Sequence, residues 1–212
     1  MRKLLIATTN RGKLEEIVPI LEGLPFELLT LADFPGKGTG LRTSTETRPL
    51  DPPEETGRTF AENARGKALY YTQLTGELTV AEDSGLVIEA LGGAPGIESA
   101  RYGGPHASYP EKFGLIYDAL RSRNAFDSPA QFVCAVALAS RRRVLFESEG
   151  AIDGRIAAEP KGEHGFGYDP IFFYPPFAAT LAEAGRRKSE VSHRAVAFRA
   201  LRRFLTSGER VL

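Results

Sequence analysis

Cysteine, histidine and any surplus of charge are what this 212-residue chain has little of. Its single cysteine, Cys134, lies inside the apolar run QFVCAVALA, which excludes an intramolecular disulfide and predicts a small buried side chain in a reducing compartment. The three histidines, His106, His164 and His193, have no zinc-ligand spacing, so any metal is expected to be hard and held by oxygen. Lysine plus arginine number 27, and so do aspartate plus glutamate. No overall field therefore recruits nucleic acid or an anionic membrane, and a bound anion has to be held by a local cluster. The apolar run within MRKLLIATTNRGK is too short for a signal peptide and far too short for a membrane span, so the expectation is a cytoplasmic protein. There is no internal repeat, no low-complexity tract, no G-x-x-x-x-G-K-[ST] loop and no G-x-G-x-x-G fingerprint.

What is present reads as a globular domain, with 42% hydrophobic and 25% charged residues. KLLIA at 3–7 predicts a buried strand that enters the polar loop TTN. Leu14, Ile17, Val18 and Leu21 then fall at helical spacing, with Pro19 predicting a kink or early unravelling. Residues 35–58, rich in glycine, proline and threonine, show no period and predict a long surface loop. A helix is predicted over 60–75, opened by Thr59 and Glu62 in capping-box spacing, with Phe60, Ala64, Ala68 and Tyr71 on one face. Ser108 with Glu111 predicts a second helix start, its inner face Leu115, Ile116, Ala119 and Leu120. Residues 130–139 and 143–149 predict an antiparallel pair, the first strand central because it is apolar on both faces. Ala195, Val196, Leu201, Phe204 and Leu205 mark a C-terminal helix capped by Ser192. Elements alternate without a regular βαβ rhythm, so the expected fold class is α/β: one domain, 1–212, with a mixed central sheet flanked by helices and two lobes with a cleft between them.

Four groups of residues carry candidate chemistry. TTNRGK, Thr8 to Lys13, offers hydroxyl, amide and ammonium donors at a helix N-terminus, a plausible phosphate cradle, although caps of this composition are also ordinary. Glu82 and Asp83, side by side in AEDSG between apolar runs, repel each other and require something positive beside them. With Glu54 and Glu55 they are the acidic candidates, and magnesium, completed by substrate phosphates, is the expected ion. Phe166, between two glycines in GFGYDP, has the bare surroundings for stacking on a planar base, or for a plain core ring. Late in the chain come Arg186, Arg187 and Lys188, then His193 and Arg194, whose charge just after the Ser192 cap opposes the helix dipole unless an acceptor sits opposite. Cationic loop, paired carboxylates, stacking ring and donors together indicate a nucleotide.

ATTNRGK, TFAENARGKA, AEDSGLVIEALGGAPGIESARY, GFGYDPIFF and KSEVSHRAVAF follow one another as do the signature blocks of the inosine triphosphate pyrophosphatase family, the Ham1-like noncanonical purine nucleoside triphosphate pyrophosphatases, and the chain resembles that family over nearly its whole length. The resemblance implies magnesium-dependent hydrolysis of ITP, dITP and XTP to monophosphate and pyrophosphate by a cytoplasmic homodimer. It implies that Thr8, Thr9, Asn10, Arg11, Gly12 and Lys13 form the phosphate loop, with Lys67 a further phosphate-facing lysine. Glu54, or its neighbour Glu55, with Glu82 and Asp83 would hold the metal, Asp83 also accepting a proton, and Ser84 would touch substrate. Phe166, Gly167, Tyr168 and Asp169 would bind the base, and Lys188, His193 and Arg194 would meet the purine edge. Departures from the family pattern are Thr9 in place of a frequent glycine, Glu-Asp before Ser84 in place of Asp-Asp, and a longer loop over 35–58. The rival expectations are a Maf-like pyrophosphatase acting on modified or pyrimidine triphosphates, and a nucleotide-binding module that does not hydrolyse.

Overall fold

A computed structural model of the chain describes residues 1–34 and 50–207. Most of the predicted 35–58 loop therefore lies outside the described residues; its last part, 50–57, forms neither helix nor strand. The strands are β1 (Arg2–Ile6), β2 (Phe26–Thr30), β3 (Leu78–Ile88), β4 (Pro129–Ser140), β5 (Arg143–Ile156), β6 (Phe172–Tyr174) and β7 (Ala179–Thr180). The helices are α1 (Arg11–Leu21), α2 (Phe60–Thr75), α3 (Tyr109–Arg121), α4 (Leu181–Ala184), α5 (Lys188–Val191) and α6 (His193–Thr206). The described strands form one mixed sheet in the order β2-β1-β3-β4-β5-β6-β7, with β1 parallel to both β2 and β3, and β6 antiparallel to β5 and β7. β4 is the fourth of the seven, the central place its two apolar faces predict.

The chain divides into two compact units. The first holds Met1–Asp83, Ala135–Ser148 and the chain from Phe198; the second holds Ser84–Cys134 and Glu149–Ala197. Each has its own core. In the first, Leu5, Ala7 and Leu29 pack with Ala64, Ala68 and Tyr71 of α2 and with Ala135, Ala137 and Ala139 of β4. In the second, Leu86 and Ile88 pack with Phe113, Ile116 and Leu120 of α3 and with Phe132, Ile152, Ile156 and Phe172. A fully buried aliphatic side chain of this kind stabilises by about 2 kcal/mol.

Local rules explain most helix starts among the described residues. Asn10 caps α1 by accepting from the Lys13 amide at 3.2 Å, and Ser108 with Glu111 forms a complete capping box on α3. At α2, Thr59 accepts from the Glu62 amide as predicted, but the Glu62 carboxylate turns back to the Arg58 amide at 2.6 Å instead of closing the box. Pro19 does not stop α1, which runs on to Leu21 with Ile17 and Leu21 buried. On α3 the buried face is Lys112, Phe113, Ile116 and Leu120, whereas Leu115, expected inside, is 44% exposed. On α6, Ala195, Leu201 and Leu205 are buried as predicted, but Val196 faces out and Ala197 and Phe198 take its place.

The largest difference from sequence expectation is β5, which continues seven residues beyond 149, through Gly150 and Gly154, to Ile156. Both glycines exist for close approach, not for a turn. A Cβ on Gly154 would lie 2.5 Å from the Phe173 carbonyl oxygen and 2.6 Å from the Phe172 ring, and one on Gly150 would meet the His193 carbonyl and the Ala197 amide. Gly150→Ala should therefore destabilise the protein by about 2 kcal/mol through overpacking against backbone that cannot yield. Urea unfolding of the variant beside wild type measures it, and an unchanged midpoint would contradict the close packing described.

Candidate functional site

In the first unit, the parallel register of β1 with β3 sets Ile6 opposite Val80, and the Ala7 amide donates to the Val80 carbonyl at 2.8 Å. That pairing brings the loop after β1 alongside the Glu82 region of β3, and Lys13 on the first turn of α1 reaches it, its Nζ 2.7 Å from Glu82 Oε1. On α2, Asn63 and Lys67 stand four residues apart and so share a face. Lys67 Nζ lies 2.8 Å from Glu55 Oε1 and 3.4 Å from Asp83 Oδ1, while the Asn63 side-chain amide donates to Asp83 Oδ2 at 3.0 Å. Asn63 Oδ1 in turn accepts from the Gly57 amide at 2.9 Å, which ties the segment carrying Glu55 to the same helix.

Three carboxylates and two ammonium groups thus meet in a largely buried cluster, with Glu82 only 4% and Asp83 6% exposed. The positive charge that the adjacent acidic pair needs is supplied by Lys13 and Lys67, with one negative charge left over. Burial, above all, pushes the Asp83 carboxyl above its ordinary value of 3.8; Lys67, Asn63 and Lys13 pull it back without reversing the shift, and Glu55 adds to it. Burial opposes charging of Lys67 too, but the attraction of Asp83, Glu82 and Glu55 together exceeds it and holds the ammonium above 10.5. Among the described residues, no three Asp, Glu, His or Cys side chains are gathered closely enough to hold a metal unaided. The physical reason is visible in the pairing, since the lysines stand where a ready-made acidic cage would need a cation.

The second unit gathers the other predicted residues. Asp169 Oδ2 accepts from the Phe166 amide at 2.8 Å and from Lys188 Nζ at 2.6 Å, which fixes the GFGYDP turn to α5. The same Lys188 Nζ lies 4.5 Å from the Phe166 ring centroid, and the Arg194 guanidinium 5.5 Å from it. Arg194, 1% exposed, also donates to Ser84 Oγ at 2.9 Å, the acceptor its place at the start of α6 requires. His193 stacks on Phe132, ring centroids 4.8 Å apart at 16°. The Tyr168 hydroxyl donates to the Ser99 carbonyl at 2.8 Å, so Tyr168 supports the turn from within the core. Gly167 adopts φ +69°, a conformation open to glycine.

Not every expected residue joins a cluster. Thr9, Asn10 and Arg11 are exposed, and Arg11 pairs along the helix surface with Glu15 at 2.8 Å. Thr8 accepts from the Asn10 amide at 3.2 Å, and Gly12 is half-buried. Glu54 is exposed, whereas its neighbour Glu55 reaches Lys67. Arg187 lies over the Phe177 ring at 3.9 Å and His106 and His164 are exposed. Asn63 was missed by reading the sequence, although a polar residue on the apolar face of α2, four before Lys67, was its signal.

The sequence model of the Ham1 family matches residues 4–204. The chain belongs to the Ham1 family. It is 41% identical over 203 residues to the dITP/XTP pyrophosphatase of Geobacter sulfurreducens, covering 95% of this chain and 96% of the relative, and 40% identical over 206 residues to that of Dictyoglomus thermophilum, covering 96% and 94%. Among solved structures, the Ham1 protein of Coxiella burnetii superposes with a TM-score of 0.85 at 35% identity, covering 98% of this chain and all of the other. The nucleoside-triphosphatase and dITP/XTP pyrophosphatase of Mycobacterium abscessus superposes with a TM-score of 0.71 at 36% identity, covering 96% and 99%.

Lys67→Met should destabilise the protein by about 3 kcal/mol at neutral pH, because it leaves the Glu55 and Asp83 carboxylates buried without their cation. The folded-state pKa of Lys67 is raised, so its contribution is fully present below pH 10.5 and is lost only as pH rises through the raised value. Chemical denaturation of both proteins across pH checks the size and the sign.

Proposed function

We propose that this protein hydrolyses noncanonical purine nucleoside triphosphates, ITP, dITP and XTP, to the monophosphate and pyrophosphate. Water attacks the α-phosphorus, the α–β phosphoanhydride bond breaks, pyrophosphate leaves, and the water proton passes to a base. The observation that carries the reading is the buried Lys13–Glu82 and Glu55–Lys67–Asp83 cluster, in a chain some 40% identical to proteins named dITP/XTP pyrophosphatase. Asp83 suits the part of base because burial lifts its carboxyl above the ordinary aspartate value and brings it nearer the working pH. Lys13 and Lys67, already fixed by carboxylates, offset charge that develops on the phosphates without reorganising.

The hard donors Glu55, Glu82 and Asp83, with their surplus negative charge, fit magnesium, an ion held by one or two carboxylates and completed by substrate phosphates. It would supply positive charge beside the leaving pyrophosphate. For the base, Phe166, Lys188, His193 and Arg194 bring a ring and several N–H donors into one unit. A 6-oxo purine offers these donors an acceptor where adenine offers an amine, and a donor left buried without its partner discriminates by factors of roughly 10⁴ in the best-built sites. A homodimer and a cytoplasmic location belong to the same reading; among the described residues no helix is long and apolar enough to cross a membrane.

Incubation with dITP, XTP, ITP and ATP, with and without magnesium, tests the proposal. The first three should yield pyrophosphate and monophosphate in the presence of the ion, with ATP far slower. Release of single phosphate, preference for pyrimidine triphosphates, or binding without turnover would each overturn it. Asp83→Asn should lower kcat by about 10³-fold with KM nearly unchanged. In the metal-free protein the Asp83 carboxyl should titrate above the ordinary 3.8, which an NMR titration beside Asp83→Asn checks.

A further inference from the structure

One buried charge plays no part in the chemistry above. Lys112, on the first turn of α3, is 4% exposed. Lysine is almost never this buried unless it has a carboxylate partner. Here the ammonium donates to the carbonyl of Ala100 at 2.6 Å and rides over the Tyr109 ring, 4.8 Å from its centroid. Burial holds its pKa below the ordinary lysine value, with no acidic group pulling the other way. A strongly hydrated ammonium kept in such a place costs stability, and a methionine of similar length would fill the space without that cost.

The surroundings show what the charge holds in place. Two consecutive carbonyls are taken by two side chains: Ser99 by the Tyr168 hydroxyl at 2.8 Å, and Ala100 by Lys112. Ser99 Oγ also accepts from the Leu86 amide at 2.9 Å, two residues after Ser84, and donates to the Gly96 carbonyl at 2.6 Å. The turn at 96–100 is thereby locked between β3, the GFGYDP segment and α3. Tyr109 closes the other side, its ring edge-on to Tyr168 with centroids 5.3 Å apart at 89°. Its hydroxyl oxygen lies 3.5 Å from where a Cβ on Gly167 would stand. On this side the Phe166–Asp169 turn is thus held by Tyr109 on the first turn of α3, by Phe113 just beyond it, whose ring lies 6.1 Å from that of Tyr168, and by the 96–100 turn to which Lys112 bonds.

We propose that Lys112 and Tyr109 are positioning residues that set the orientation of the Phe166–Asp169 segment, and that discrimination between 6-oxo and 6-amino purines depends on them. This rests on the reading of that segment as the base site. Neither residue touches the carboxylate cluster, so the chemical step itself should be nearly untouched. Their loss should let the turn relax, blunting donor alignment to a 6-oxo group more than it weakens general binding, because directional hydrogen bonds depend on alignment that apolar contact does not require.

The test compares kcat and KM for dITP and for ATP in wild type, Lys112→Met, Lys112→Arg and Tyr109→Leu, each checked for folding by circular dichroism. Lys112→Met and Tyr109→Leu should lower the dITP-to-ATP ratio of kcat/KM by about tenfold or more, through KM for dITP, with kcat for dITP within about threefold of wild type. Lys112→Arg, which keeps a charged donor, should restore most of the ratio. In the double variant Lys112→Met with Tyr109→Leu, the loss should be clearly less than the product of the single losses, as expected of residues acting as one unit. An unchanged ratio in folded Lys112→Met or Tyr109→Leu, or an equal fall of kcat on both nucleotides, would overturn the proposal. If Lys112→Met does not fold, Tyr109→Leu decides it by the same ratio. Wild type that fails to prefer dITP would instead refute the base-site reading beneath it.

Discussion

Three acidic side chains and two lysines, all largely out of water, hold one corner of the first unit together. Glu82 alone beside Asp83 would be untenable in a strand between apolar runs, since burial and mutual repulsion both disfavour ionisation. Lys13, delivered by the turn from β1 into α1, neutralises one of the pair, and Lys67 from α2 neutralises the other while collecting Glu55. The parallel pairing of β1 with β3 and the cap at Asn10 matter because they aim Lys13 at Glu82. An arrangement of this kind is a poor way to gain stability and a good way to present fixed charges to a phosphate chain.

The second unit meets the same constraint with different chemistry. Asp169, 1% exposed, takes the Phe166 amide and the Lys188 ammonium together, so one carboxylate both shapes a glycine-flanked turn and compensates a buried cation. Arg194 finds its acceptor on Ser84, the first residue of this unit and the covalent neighbour of Asp83. Lys112 is another buried cation whose polar partner is neutral, here a carbonyl, with a ring beside it. Protein interiors usually resolve such a site with an apolar residue, which is why its retention points to orientation and not to stability.

Elements whose signals are local were legible in the residues. Thr59, Ser108 and Ser192 all cap helices, because a cap is a bond between groups two or three residues apart. The mixed sheet with β4 at its centre followed from apolar runs and their lack of a regular rhythm. The end of β5 did not, because Gly150 and Gly154 resemble turn residues until the backbone and ring that approach them are known. Leu115 and Val196 fell on the wrong side of their helices, since near the edge of an apolar stripe only the packing partner decides which residue turns inward.

By itself, then, the chain's sequence determined α1, α2, α3 and α6, the strands β1 and β4 with the first half of β5, and which residue types could serve a nucleotide, because periodicity, capping and side-chain chemistry act within a few residues. Only the tertiary structure decided that Glu55 and not Glu54 meets Lys67, that Asn63 holds Asp83, and that lysines stand beside the acidic pair. Those partners lie 12 to 69 residues apart in the chain, or differ by one step along an aperiodic loop, and no local rule relates them. Their meeting is set by strand register and by which face of α2 is buried, and these are properties of the packed whole.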